Sequence, residues 1–359
     1  MPSRPILLNP GPVNLSDRVR RALLRPDICH REPECADLLA RIRRRLCEAF
    51  APQGYTSVLL TGSGTAAVEA AVASSVGEGG AMLVVNNGVY GDRIAKMARV
   101  HGIRVVEVAA EWTAPADLAG IEAALRAEPD VQAVALVHHE TTTGLVNPVD
   151  EVGRLARAAG KLFVVDSVSG LGGEPIDLAG AGVDLCVGTA NKCIQGTPGL
   201  GFVLVRRDAM DRLAAVPPRS VYLALHANWQ AQERGDTLFT PAVQTAYALD
   251  EALAELLEET VAGRIARYGR AAALLRDGFA RLGLSCLLPP ELRSHTITAL
   301  DLPRGLTYAE LHDRLKARGF VVYAGQGPLA SRIFRVANMG DVSLDEYREF
   351  LAALESILG

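Results

Sequence analysis

The chain has 359 residues, 49% hydrophobic and 22% charged, with a formal net charge of −4. That length exceeds what one core usually holds, so a large domain plus a smaller one is expected, and the slightly acidic balance argues against a nucleic-acid or anionic-membrane surface. The opening MPSRPILLNPGP has no apolar core of signal-peptide length, and no segment approaches the roughly 18 uninterrupted apolar residues of a membrane span, so a cytoplasmic protein is expected. Cys29, Cys35, Cys47, Cys186, Cys193 and Cys286 form no CxxC pair and fit neither a zinc site nor a disulfide framework, so reduced thiols and no metal are predicted.

Through the first two-thirds, short β-rich runs alternate with helical segments, the pattern of a wound α/β sheet. TSVLL (56–60) precedes a helix over 65–76, AMLVVNN (81–87) a helix over 91–102, and VQAVALVHH (131–139) a helix near 150–160. KLFVVDS (161–167), GVDLCVG (182–188) and LGFVLVRR (200–207) add three strands. Their apolar residues run together instead of alternating, which predicts a sheet covered on both faces, a three-layer α/β/α sandwich with mainly parallel strands. After about residue 240 the pattern predicts one long charged amphipathic helix over 245–283, then strands in SHTITALDL, FVVYAG and IFRVAN and helices in LTYAELHDRLKARG and SLDEYREFLAALESIL. The expected division is an N-terminal arm (1–15), a large domain (16–245) and a smaller α+β domain (246–359).

Three places can carry chemistry. TGSGT (61–65) lies between a predicted strand and helix, so Ser63, Gly64 and Thr65 stand where backbone N–H groups and the helix dipole favour an anion such as a phosphate. It lacks the Walker A lysine and the third glycine of a dinucleotide fingerprint, and taken alone it also reads as a glycine turn with a helix cap. Asp166 ends the apolar strand KLFVVD, at the sheet edge where α/β proteins bind ligands, though a cap for the turn SVSGLGG is an equal reading. Lys192 sits in the glycine-rich GTANKCIQGTPGLGF, either a solvated loop residue or the partner of something the sequence does not contain. Together, a phosphate cradle, a carboxylate and a lysine in this order can hold pyridoxal phosphate, with the lysine as Schiff base and the aspartate on the pyridinium nitrogen.

At these residues the chain resembles class V aminotransferases of the type I pyridoxal-phosphate fold. LLNPGPVNLS, GYTSVLLTGSGTAAVEA, NNGVYGDR, HHETTTGLVNPVDEVG, VDSVSGLGG, ANKCIQGTPGLGFV and FRVANMGDV carry the resemblance, which covers nearly the whole chain. It is strongest, through ETTTG and ANKCIQG, to the branch using 2-aminoethylphosphonate as amino donor and pyruvate as acceptor. The resemblance implies Lys192 as the Schiff-base lysine, Asp166 on the ring nitrogen, and Ser63, Gly64 and Thr65 on the phosphate of pyridoxal 5'-phosphate. It further implies Thr141 or Thr142 near the ring hydroxyl, Val168 on one ring face, and Tyr90 or His101 on the other. Asn191 and Thr240 match phosphate contacts, Thr240 from a neighbouring subunit, which implies a homodimer with shared sites. Arg335 matches the receptor for the substrate's acid group; without the resemblance it reads as a surface salt-bridge residue. HREPE near the N-terminus is shared by relatives acting on alanine, serine and glyoxylate, so that donor class stays open, as does a lyase on the same fold.

Overall fold

A seven-stranded sheet organises the computed structural model, which describes residues 4–51 and 53–359. In chain order the strands are β1 (Ile6–Leu7), β2 (Tyr55–Thr61), β3 (Ala81–Asn86), β4 (Arg104–Ala109), β5 (Val131–Val137), β6 (His139–Glu140), β7 (Leu145–Val146), β8 (Leu162–Asp166), β9 (Leu185–Thr189), β10 (Leu200–Arg206), β11 (Ile297–Asp301), β12 (Phe320–Val321), β13 (Tyr323–Ala324) and β14 (Ile333–Ala337). The central sheet runs β2-β10-β9-β8-β5-β3-β4. From β9 to β4 all neighbours are parallel, and β10 alone lies antiparallel to its two neighbours.

The continuous apolar strands are buried on both faces, as their composition predicts. Along β3, Leu83 and Val85 enter one apolar layer, on the side of the helix Leu118–Ala127, while Met82 and Val84 enter the other, on the side of the helix Val89–Val100. This alternation gives the three layers. The edge strand β4 is half-exposed, and its weaker apolar run did not predict a strand. No helix among the described residues is long and apolar enough to cross a membrane.

A second core gathers Leu275, Phe279, Phe320, Phe334 and Phe350 between a β11-β14-β13 sheet and the helices Val261–Arg281, Tyr308–Lys316 and Leu344–Leu358. β1 joins it, pairing in parallel with β12 through Ile6↔Phe320 and Leu7↔Val321. One sequence expectation is corrected here. The single helix over 245–283 is two helices, Val243–Glu259 and Val261–Arg281, broken at Thr260, which has φ +67° and caps the second helix by accepting from Gly263 N at 3.0 Å. In the first of these, Ala246, Leu249, Leu253 and Leu256 pack in the large core.

Candidate active site

Parallel strands joined by helical crossovers present their carboxyl ends at one edge, so residues far apart in sequence are brought together there. Asp166 ends β8, Thr189 ends β9 just before Asn191 and Lys192, and Tyr90 follows β3. Thr141 and Thr142 follow the strands β5 and β6, and Ser63, Gly64 and Thr65 follow β2. The fold thus collects these residues at one sheet edge.

Asp166 is 7% exposed and accepts a hydrogen bond from Val168 N at 3.0 Å. Burial pushes its carboxyl up to about 6, because removing the charged form from water costs more than the single amide returns. Burial likewise pulls Lys192 down to about 8, and Arg335 and Arg93 add to that by disfavouring a third cation nearby. Lys192 Nζ donates to the carbonyl of Pro10, and a Cβ on Gly11 would lie 2.6 Å from Lys192 Cδ. With φ +92° and no room for a side chain, Gly11 lets the N-terminal segment pass directly over the lysine.

The cradle is built by backbone proximity. Ser63 is the N-cap of the helix Gly64–Ser74, yet its side chain makes no capping bond. Gly64 packs so closely that an added Cβ would sit 3.0 Å from both Thr189 Cβ and Val168 Cγ2, drawing the helix start against β8 and β9. Thr189 Oγ1 donates to Asn191 Oδ1 at 2.9 Å. An open helix N-terminus with an uncommitted serine is suited to a phosphate. Val168 is half-buried beside the cradle. Thr141 Oγ1 is buried without a partner, whereas Thr142 Oγ1 donates to Glu140 Oε1 at 2.5 Å. The pair Lys192 and Asp166, the uncommitted Ser63 and the orphaned Thr141 hydroxyl fit the aldehyde, ring nitrogen, phosphate and ring hydroxyl of pyridoxal 5'-phosphate.

Arg335 lies on β14 and is 3% exposed. Its Nε donates to Ala324 O at 2.8 Å, and its Nη1 donates to Thr141 O at 2.8 Å and to Gln326 Oε1 at 3.2 Å. None of these acceptors is a carboxylate, and Nη2 makes no bond in this set, so a buried cation keeps donors for an anion. The expectation of a surface salt bridge is not met.

Tyr90 and His101 occupy opposite ends of the helix Val89–Val100, whose rise separates them by roughly 16 Å. Tyr90 is at the sheet edge, its amide donating to Glu140 Oε2 at 3.1 Å. His101 faces away, bound to Glu69 at 2.9 Å, with its carbonyl accepting from Arg219 Nε at 3.1 Å. The structure does not bring His101 to the site, because a helix following β3 carries its C-terminal end away from that edge. Thr240 is exposed, two residues before Ala242, whose amide donates to Thr61 Oγ1 at 3.2 Å.

Three residues at the site were not singled out from sequence. Glu140, fully buried, receives Tyr90 N, Thr142 N and Thr142 Oγ1, and burial raises its carboxyl. Arg93 holds its guanidinium 4.7 Å from the Tyr90 ring centroid and 3.5 Å from Thr65 Oγ1. Gln326 lies on Arg335. The first two stand inside ETTTG and NNGVYGDR, where helical spacing from Tyr90 pointed to Arg93; nothing in the sequence around Gln326 marked it.

Comparison with known proteins agrees with this geometry. The chain is 41% identical over 360 residues to a 2-aminoethylphosphonate–pyruvate transaminase of Aeromonas hydrophila subsp. hydrophila, covering 98% of this chain and 94% of that protein. A 2-aminoethylphosphonate–pyruvate transaminase of Syntrophobacter fumaroxidans is 39% identical, with 98% and 96% covered. Among solved structures, an alanine–glyoxylate aminotransferase of Nostoc sp. superposes with a TM-score of 0.94 at 29% identity, covering 100% of this chain and 96% of the other. The family model for aminotransferase class-V matches residues 22–344. The matched family model and these near full-length relatives make the chain a member of the class V aminotransferases, which depend on pyridoxal 5'-phosphate.

Proposed function

We propose that this enzyme moves the amino group of 2-aminoethylphosphonate to pyruvate, giving phosphonoacetaldehyde and L-alanine in two half-reactions with ping-pong kinetics. Arg335 carries the reading: a buried guanidinium with an open Nη2 and no carboxylate partner, on the same edge as Lys192, is a receptor for the acid end of an amine donor. The relatives bearing that activity are about 40% identical over nearly the whole chain.

Bound pyridoxal 5'-phosphate supplies the carbonyl that takes up the amine and the ring that accepts the electron pair. Lys192 would anchor it, and its Nζ, once free, would take the proton from the carbon that bears the donor's nitrogen. With its affinity for protons lowered to about 8, Lys192 is partly neutral near physiological pH and suited to act as that base. Asp166 keeps the ring nitrogen protonated by its negative charge, and the pairing in turn stabilises the aspartate's charged form. Ser63, Gly64, Thr65 and Asn191 hold the phosphate, Thr141 meets the ring hydroxyl, and Val168 and Tyr90 enclose the ring.

We infer a homodimer in which a second copy brings its own Thr240 to the phosphate. Val221 (84% exposed), Tyr222 (39%) and Leu238 (37%) leave an apolar surface around Thr240, with Tyr222 stacked on Phe239 at 4.8 Å. The small, diffusible substrates suit a cytoplasmic enzyme. A panel of amine donors tests the assignment on cofactor-loaded protein: 2-aminoethylphosphonate with pyruvate should give the highest kcat/KM. A preference for alanine or serine with glyoxylate would overturn the donor while leaving the chemistry intact.

A further inference from the structure

The acid receptor is not free on all sides, and what covers it is adjustable. Arg335 commits Nε to Ala324 O and shares Nη1 between Thr141 O and Gln326 Oε1. An acid group bound across Nη1 and Nη2 therefore has to displace one of the two Nη1 acceptors. Thr141 O belongs to the backbone of the buried loop between β6 and β7 and is fixed. Gln326 is a half-buried side chain with a rotatable amide.

The backbone beneath that side chain is held. Gly325 N donates to Ile333 O at 3.0 Å, Leu329 N donates to Gln326 O at 3.0 Å, and Trp112 from the segment after β4 lies against Gly327, where an added Cβ would come 2.6 Å from its ring. Trp112 also packs with Leu329 and Ile333. The movable part is the Gln326 side chain, and turning its amide by half a revolution exchanges an acceptor for two N–H donors at the place where Arg335 receives its anion.

We propose that Gln326 is a specificity-determining residue of this enzyme, its carboxamide leaving Arg335 to donate Nε2 to an oxygen of the substrate's acid group. The role rests on the donor assignment above and deepens it. A carboxylate has two oxygens, and the Nη1 and Nη2 donors of Arg335 take one lone pair on each, leaving the remaining pairs in the plane of the guanidinium. A phosphonate has three, arranged tetrahedrally, so its third oxygen points out of the guanidinium plane and needs a separate donor, which the turned Gln326 amide supplies. The same donor has nothing comparable to meet on a planar carboxylate, and discrimination follows from leaving a polar group unpaired in one complex and paired in the other.

The test compares Gln326→Ala and Gln326→Glu with the unsubstituted holoenzyme, using kcat/KM for 2-aminoethylphosphonate and competitive inhibition by ethylphosphonate and by propanoate. Gln326→Ala should weaken ethylphosphonate inhibition about tenfold and change propanoate inhibition less than about threefold, with the loss in KM more than in kcat. Gln326→Glu should weaken both acids by pairing with Arg335, and the phosphonate more, because it repels the greater charge. Equal losses for the two inhibitors in Gln326→Ala, or none, would overturn the role, and so would an unchanged phosphonate-to-carboxylate ratio in Gln326→Glu. Failure of the unsubstituted enzyme to turn over 2-aminoethylphosphonate would instead overturn the donor assignment and this role with it. Cofactor absorbance unchanged in both variants keeps an effect at Gln326 separate from a disturbed fold.

Discussion

Arg335 Nη1 donates to the carbonyl of Thr141 at 2.8 Å, so the strand β14 of the second core is tied to the loop that follows β5 in the first. The proposed acid receptor and the proposed ring-hydroxyl contact, Thr141, are thereby held in one geometry.

Replacing Arg335 by Lys keeps the charge and removes the planar fork. A point ammonium cannot serve Ala324 O, Thr141 O and a bidentate acid together, so kcat/KM for an acid-bearing donor should fall about a hundredfold, chiefly through KM. Cofactor absorbance should stay. Steady-state kinetics with 2-aminoethylphosphonate and with alanine check it, and a loss confined to kcat would argue that Arg335 does not receive the acid.

Lys192 sets a pH dependence for cofactor uptake. Only its neutral amine attacks an aldehyde, and burial brings its proton affinity down to about 8 from 10.5. Uptake of pyridoxal 5'-phosphate by the cofactor-free chain, followed by absorbance, should accelerate with rising pH and level off above about pH 8. Levelling only near the free-lysine value would show that the site does not perturb the lysine. In Lys192→Ala, borohydride treatment should leave no cofactor covalently attached to the protein.

Asp166 illustrates function placed against stability. Its pKa in the folded chain, about 6, exceeds the ordinary 3.8, so between these values the folded state binds more protons than the unfolded one, and stability falls as pH rises through that window. Above about pH 6 the full cost of the buried charge is present, on the order of 1–3 kcal/mol. Asp166→Asn should therefore raise the thermal midpoint of the cofactor-free protein at pH 7 and leave it nearly unchanged at pH 3.5, while lowering turnover of the loaded enzyme at least a thousandfold. A destabilised apo variant at pH 7 would contradict the argument.

Arg93 stands over the Tyr90 ring and beside Thr65, joining the ring-covering residue to the phosphate cradle. Arg93→Gln removes both the cation–π contact and a positive charge near the phosphate, and should weaken retention of pyridoxal 5'-phosphate about tenfold. Binding of unphosphorylated pyridoxal should change less. Equal weakening of the two ligands would assign Arg93 to the Tyr90 ring alone.

Much of this was legible in the chain because the physics is local. Apolar runs such as LFVVD and AMLVVN can be buried only in a sheet covered on both sides, and crossover connectivity then places their carboxyl ends together, which brings Asp166 and Lys192 to one edge. Periodicity could not see the break at Thr260, because the residues on either side both favour helix and only the backbone turn at that position ends the first one. β4 escaped because an edge strand needs less apolar surface. Tyr90 and His101 were indistinguishable by type, and only helix length separates them. Gln326 was invisible because its role depends on which carbonyls Arg335 has already engaged, a matter of three-dimensional valency.

The pairing of Ile6 with Phe320 has a consequence for the order in which the enzyme is made. The segment that lies over Lys192 is synthesised about 300 residues before the strand that anchors it. During translation the seven-stranded sheet has its residues long before that anchor exists, so Lys192 passes through a period without the Pro10 carbonyl above it. Covering of Lys192 then waits on the docking of an early-made segment onto a late-made strand.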